Sequence, residues 1–453
     1  MPDTPDLPHT PAEPASHLPP ARARRTMRLS LLEGGATQLF LNWTTGSVLT
    51  GYLMSLGADA ATLALVAAVP MLAQVTGPFA AVLAARLGAR KPLTALLGLV
   101  GRVMWVLAAF LPQLGVPHGW QPAALVVLVG LSSAFQAPNG VLWSSWMTDV
   151  VPLRERGAYF GLRTGVLGVV GMLGNLAAGA FLDHVASPLG FQVVLLASVV
   201  CALAGLALLA LHDEPVMPRV DTGLRRTLTA PWTDRNFRRV LVFGSYWTFV
   251  VMLAGPFVFP YFLGQLGLSF TQVAVWSAIA SVCALGTSWW WGRVADQAGN
   301  KPVLRFGTVL AGVGLPGTWI LAGLTGRVEF VWLSAVLDAL AWGGIGAALF
   351  NLALGSAPRE QRTAFYATFS LATGVAGFVG GALAGPLLTA LLAHPVTTAH
   401  FTWTGYHSLF ALSGMLRAGA HLLLRRVDEP GEARLRDGVR RVRLSRPLDN
   451  AAD

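Results

Sequence analysis

The chain has 453 residues, of which 54% are hydrophobic and only 12% are charged, about half the ~25% charged fraction of a soluble globular protein. That composition excludes a soluble domain and points to a membrane protein. The net charge of +10 does not indicate nucleic acid, because a basic groove needs polar surface and this chain has little outside its ends.

In chain order, residues 1–28 form a tail. It carries Pro2, Pro5, Pro8, Pro11, Pro14, Pro19 and Pro20 and no apolar run, the composition of a disordered segment. It lacks the cationic start, short apolar core and small-residue cleavage site of a secretory signal. Apolar stretches of the roughly 20 residues that cross a bilayer then follow at 31–54, 60–84, 93–112, 122–148, 158–182, 190–211, 238–263, 270–291, 302–323, 330–355, 362–391 and 404–424. The sequence thus predicts an all-α membrane protein with twelve transmembrane helices. A polar, basic linker over 212–237 separates a first bundle of six (29–211) from a second (238–425), and residues 426–453 form a basic tail. Cys201 and Cys283 lie inside apolar runs, so neither a disulfide framework nor a metal site is expected, and no cofactor is implied.

Lysine and arginine set the orientation, because cationic loops beside spans are retained in the cytoplasm. With the N-terminus inside, all but three of the 32 lysines and arginines fall on the cytoplasmic side; the exceptions are Arg327 in an external loop, Arg102 within span 3 and Arg417 within span 12. Both termini are therefore expected in the cytoplasm and the protein in the inner (plasma) membrane.

An internal repeat supports the division into halves. Pro152, Arg156 and Ala158 recur as Pro358, Arg362 and Ala364, and Gly168, Gly171, Gly174 and Gly179 recur as Gly374, Gly377, Gly380 and Gly385. Asp213-Glu214-Pro215, after span 6, returns as Asp428-Glu429-Pro430 after span 12. Ala85-Arg86-Leu87-Gly88 aligns with Asp296-Gln297-Ala298-Gly299, in the loops after spans 2 and 8. Copies of six spans run in the same direction, so an axis along the membrane normal relates two pseudo-symmetric bundles.

The loop Gly292-Arg293-Val294-Ala295-Asp296-Gln297-Ala298-Gly299-Asn300-Lys301 resembles the Gly-x-x-x-Asp-Arg-x-Gly-Arg-Lys signature of the major facilitator superfamily. The first copy keeps Arg86, Gly88, Arg90 and Lys91 but has Ala81 and Ala85 in place of Gly and Asp. The stretch from Arg156 to Arg163 is similar to a pattern in bacterial members of unassigned substrate. Span 5 has no proline between Gly168 and Gly174, unlike many drug/proton antiporters. The resemblance implies that spans 1, 4, 7 and 10 line a central cavity, and that two halves rock about it to move a small solute.

Within that frame, span 1 offers Gln38, Asn42 and Thr45, and span 4 offers Ser132, Gln136, Asn139 and Trp143, each set at helical spacing on one face. The repeat carries Ser132 and Gln136 onto Asp338 and Trp342 of span 10. Gln38, Asn42, Thr45, Gln136, Asn139, Trp143, Asp338 and Trp342 are therefore the candidate substrate-binding residues. Lipid penalises such side chains unless they face a partner or a wet cavity. Asp338, about 12 Å inside the external edge of its helix, is the first candidate for proton coupling. Glu33 is the second, with a plain helix-start residue as the competing reading. Arg102 and Arg417 must pair or snorkel; Arg102 is in reach of Glu33 or Gln136, but span 3 is peripheral in the family, which implies a structural part. Asp296 at the inner end of span 8, with Gly292, Gly299 and Lys301, is expected to approach Arg156, Arg163 or the amides near Gly157 and so close the cytoplasmic side when the protein faces outward. The glycine ladders serve close helix packing or a sliding face.

The function so expected is a secondary active transporter, a monomer in the bilayer, with a small-molecule substrate and H+ as coupling ion. Efflux of amphipathic drugs and uptake of a sugar-like solute both suit a cavity rich in Gln, Asn and Trp. A membrane-embedded transferase would need histidines and carboxylates clustered at one membrane face, whereas the histidines here are scattered; a non-transporting receptor is a further alternative. No Gly-x-x-x-x-Gly-Lys-Ser/Thr loop is present, so the chain by itself does not use ATP.

Overall fold

In a bilayer every backbone amide must be satisfied within the protein, and a long apolar segment does that as a helix. The computed structural model describes residues 18–217, 230–357, 362–398, 401–429 and 431–444, and among them it is helical almost throughout. Ten helices are long and apolar enough to cross a membrane: Ala60–Leu87, Lys91–Ala109, His118–Val150, Arg156–His184, Leu189–Ala210, Arg235–Gln265, Phe270–Ala298, Asn300–Thr325, Glu329–Gly355 and Phe365–Leu392. They are spans 2 to 11. Span 1 is present as Pro20–Trp43 and Gly46–Ser55, broken where Gly46 adopts φ +59°; neither piece alone is both long and apolar enough to join that set. Span 12 is α-helical only over Gly405–Gly419 and continues in tighter turns through Ala420–Arg426. The twelve-helix architecture stands.

Two boundaries differ from the sequence reading. Residues 20–28, assigned to the tail, are the first turns of span 1: Pro20 occupies the start of the helix, where a missing N–H costs nothing, and Ala23 and Thr26 are buried. The basic tail likewise contains a helix, Leu435–Leu444, whose Leu435, Val439 and Val442 pack against the core while arginines take the other face. Gly438 sits on Ala298, and Ala433 N–H donates to Ala298 O at 2.9 Å, which fastens this helix to the C-terminal end of span 8. Residues 1–17, the linker from 218 to 229 and the end from 445 lie outside the described residues.

Matched contacts bear out the repeat. Tyr52 on span 1 donates to Ala108 O on span 3 at 2.8 Å, and Tyr261 on span 7 donates to Trp319 O on span 9 at 2.9 Å. Glu214 accepts from the amides of Arg90 and Lys91 at 2.5 and 3.2 Å. Glu429 accepts from those of Asn300 and Lys301 at 2.9 and 2.8 Å. Each copy of the Asp-Glu-Pro motif therefore caps the N-terminus of the third helix of its own half, where orphan amides and the helix dipole favour a carboxylate. The loop before each capped helix turns on a glycine with positive φ, Gly88 at +68° and Gly299 at +90°. A Cβ on Gly299 would stand 3.0 Å from Glu429.

The glycine ladders bring helices together both within a half and across the seam. Asn42 and Trp43 of span 1 donate to Gly171 O and Gly174 O of span 5, each at 3.0 Å; on span 11, Gly380 faces the backbone of Phe249 on span 7. Across the seam, Gly179 meets the backbone of Phe270 at the start of span 8, and Gly374 and Gly377 meet Met71 of span 2. Asp183 adds a cap between halves, accepting from the amides of Phe270 and Thr271 at 2.8 and 2.9 Å, and the Phe191 and Phe270 rings pack at 5.7 Å. All these closures lie in the middle or at the end away from the termini. At the other, basic end the spans part: Gly157, Gly161, Gly165 and Gly168 of span 5 and Gly286 and Gly292 of span 8 face open space. The described molecule is open between its halves at the end that carries both termini.

Candidate functional site

A cavity of ≈ 900 Å³ occupies the N-terminal half and the seam beside span 7. Span 1 lays Glu33, Thr37, Gln38, Leu41, Thr44 and Thr45 along it, successive turns three to four residues apart that keep one helical face turned inward. Span 4 contributes Ser132, Gln136, Asn139 and Trp143, span 3 Arg102, span 5 Arg163, and span 7 Phe259. Small residues permit the approach: a Cβ on Gly101 would come within 2.7 Å of Gln136, and one on Gly98 within 3.1 Å of Asn139.

The charged heart of the cavity is one carboxylate between two guanidiniums. Glu33 is 5% exposed. Its Oε1 accepts from Thr37 Oγ1 at 2.9 Å, and Thr37 Oγ1 in turn accepts from Arg102 Nη2 at 3.3 Å. Arg102 is fixed from behind by donating through Nη1 to Ala202 O at 2.8 Å. Arg163 Nη2 reaches Glu33 Oε2 at 3.5 Å, and its guanidinium lies 4.0 Å from the Trp143 ring centroid, within cation–π range. Gly34 makes room, since a Cβ there would meet Arg163 Nη2 at 2.5 Å. Arg102 Nε, Arg163 Nε, Trp143 Nε1 and Asn139 Oδ1 are buried without a hydrogen-bond partner.

Of the residues read from sequence, Gln38, Thr45, Gln136, Asn139 and Trp143 line this cavity together. Asn42 stands one layer behind, accepting from Gln38 Nε2 at 2.8 Å while holding Gly171. Glu33 is no helix-start residue, because the helix begins at Pro20 and carries it into the interior. Arg102, read as structural, lies in the cavity wall. Thr37 was missed; its spacing of four residues from Glu33, on the face already assigned to Gln38 and Thr45, was the available signal. Asp338 and Trp342 are not among the lining residues. They sit in the C-terminal half, where Asp338 lies beside Trp342 and in the field of Arg417, and Trp342 packs on Trp247 at 5.7 Å. Arg417 is 2% exposed and donates to Val251 O at 3.1 Å.

The gate residues are likewise apart. Asp296 is exposed; Arg156 donates to the carbonyls of Val151 and Thr148, and Arg163 is engaged in the cavity. Gly299 and Lys301 serve the Glu429 cap, with Lys301 Nζ on Glu432 Oε2 at 2.5 Å. The contact expected between Asp296 and span 5 is not formed in this conformation, because the halves are separated at that end. The side chain of Arg362, its counterpart on span 11, lies outside the described ones.

The sequence profile of the Major Facilitator Superfamily matches residues 34–381. The chain belongs to that superfamily. Solved superfamily structures share its fold at low identity. The nucleoside transporter NupG, in a mutant form, has a TM-score of 0.70 and 12% identity, covering 89% of this chain and all of NupG. The D-xylose-proton symporter has a TM-score of 0.66 and 16% identity over 90% of this chain and 98% of its own. A bacterial homologue of the human lysosomal transporter Spinster, inward-facing and occupied, gives 0.66 and 16% over 92% and 99%. Comparison with curated proteins gives no significant match. Identities this low carry the fold alone.

Proposed function

We propose that this member of the superfamily is a secondary transporter that carries a small organic solute through the inner membrane by alternating access, as a monomer with both termini in the cytoplasm, in exchange for or together with protons. The observation that carries the reading is the ≈ 900 Å³ cavity, sealed at one end by the Asp183 cap and the aromatic contacts and reached from the other through the parted spans 5 and 8. The orientation rests on the basic residues, which gather at the open end. Coupling is assigned to Glu33, whose proton would compete with Arg163 for the carboxylate, and to Asp338, which stands against Arg417 in the other half; a membrane-buried carboxylate with a named cationic partner is the usual material of a proton relay. Apolar lining from Leu41, Leu49, Leu63, Val66 and Met71 favours a solute with an apolar body, which suits efflux of amphipathic compounds as well as uptake.

Flux in proteoliposomes under an imposed pH gradient tests this reading. Wild-type protein accumulates solute against its gradient. Glu33→Gln or Asp338→Asn abolishes gradient-driven accumulation while solute exchange at equal pH persists. Gradient-driven accumulation intact in both variants would overturn the coupling assignment, and absence of any flux by wild-type protein would overturn the transport reading.

A further inference from the structure

Among the described residues, the cavity wall holds three titratable side chains, Glu33, Arg102 and Arg163, and these do not balance. Two guanidiniums face one carboxylate, and span 7 closes the seam with Met252, Pro256 and Phe259, which carry no charge. In the C-terminal half Asp338 and Arg417 offset one another and do not line the cavity; Asp296, the gate carboxylate at the basic end of span 8, has Arg156 and the amides near Gly157 to meet before it reaches Arg163. While the basic end is open, water screens the excess positive charge. Once both ends close, water is excluded and an unpaired guanidinium in a low-dielectric space is costly unless something compensates it.

The donors left over are of the type that an oxyanion takes. Arg163 Nε and Arg102 Nε have no partner, nor does the Trp143 indole N–H, and Arg163 holds Glu33 only at 3.5 Å, the far limit of a hydrogen bond. A guanidinium presents its donors as a planar fork matched to carboxylate or phosphate oxygens, and stacking on Trp143 fixes the plane of that fork. Apolar residues such as Leu49, Leu63 and Phe259 line other parts of the same cavity.

We propose, resting on the transport reading above, that the solute is an organic anion: an oxyanion head group docks on Arg163 and Arg102 beside the Trp143 indole, and an apolar body fills the remaining space. Glu33 is then the internal competitor for Arg163. Its protonation frees the fork, so anion and proton enter the closed cavity together, and a neutral sugar or an organic cation leaves the excess charge unmet.

The test is protection from thermal unfolding of the purified full-length protein by matched probes: 3-phenylpropanoate and phenyl phosphate as anions, 3-phenylpropanamide as the uncharged counterpart and 3-phenylpropylammonium as the cation. The anions should protect at concentrations about tenfold or more below the amide, the scale of one charge-assisted pair. Arg163→Gln and Arg102→Gln should remove that preference, Arg163→Lys should keep part of it, and Glu33→Gln should strengthen it. Should Arg163→Gln fail to fold, the opposite responses of Arg163→Lys and Glu33→Gln decide the matter. Equal or better protection by the amide or the ammonium, protection by none of the four, or an anion preference that survives loss of both arginines overturns the proposal. Solute flux in proteoliposomes alongside any of those results leaves the transport reading standing and removes only the anion.

Discussion

Glu33 shows what a single residue gains from the helix that carries it. With span 1 starting near residue 31 it would sit at an interface; with Pro20 as the first helical residue it is buried between Arg163, Thr37 and Arg102. The arginines at 22, 24, 25 and 28 disguised those turns as tail, although Ala23 and Thr26 mark a buried stripe. Gln38, Gln136, Asn139 and Trp143 were legible because polar residues at helical spacing in an apolar span have few places to point. Arg102 was not, because its use depends on which helices close around span 3. Outside the spans, His212 offers a pH test. It is buried against Trp146, and burial, with the nearby Lys91 and Arg163 charges adding in the same direction, pushes its pKa from 6.5 down to about 4. The unfolded chain takes up a proton below pH 6.5 that the folded one refuses until about pH 4, so unfolding is favoured by acid across that window. Thermal midpoints should therefore fall between pH 6.5 and 4, and His212→Gln should flatten that fall; an unchanged slope in the variant would assign the acid sensitivity elsewhere.

At the scale of elements, the Asp-Glu-Pro copies were visible as a repeat, but their work was not, since each glutamate reaches amides more than a hundred residues earlier in the chain. Glu214 and Glu429 cap the third helix of their halves through paired amides. Replacing either by alanine should cost about 1 kcal/mol, read as a lowered thermal midpoint. The caps belong to different halves and share no partner, so the double variant should show the sum of the single losses; a shortfall would mean that the two caps are energetically coupled, and a single variant without loss would mean that its cap does not form. The C-terminal helix was hidden in the same way, because its arginines outnumber the apolar Leu435, Val439 and Val442 that seat it. Of the two uses expected of the glycine ladders, close packing is seen, with Gly171 and Gly174 within a half and Gly179 across the seam.

Composition alone fixed the class of the whole molecule, and the loop signature with the repeat fixed its architecture, because twelve apolar segments and a duplicated motif admit few arrangements. The conformation was not legible: whether the two ends are open or closed depends on weak contacts that trade against one another. At the end away from the termini, the outer one in the proposed orientation, Asp183 caps span 8, whereas at the basic end Asp296 is exposed. The alternating access proposed above casts these two carboxylates in opposition, each holding the state in which its own end is shut. Removing one of them should move the population between states by about fivefold, for a contribution of about 1 kcal/mol at a helix terminus. Pulsed dipolar spin-label distances test that opposition most directly, with Cys201 and Cys283 replaced by serine and label pairs at Leu153 and Gln297 for the basic end and at Leu189 and Gln265 for the outer end. Asp183→Asn should lengthen the outer distance and shorten the basic-end one, and Asp296→Asn should do the reverse. Both distances moving in the same direction, or neither moving in either variant, would contradict two rigid halves rocking about the cavity.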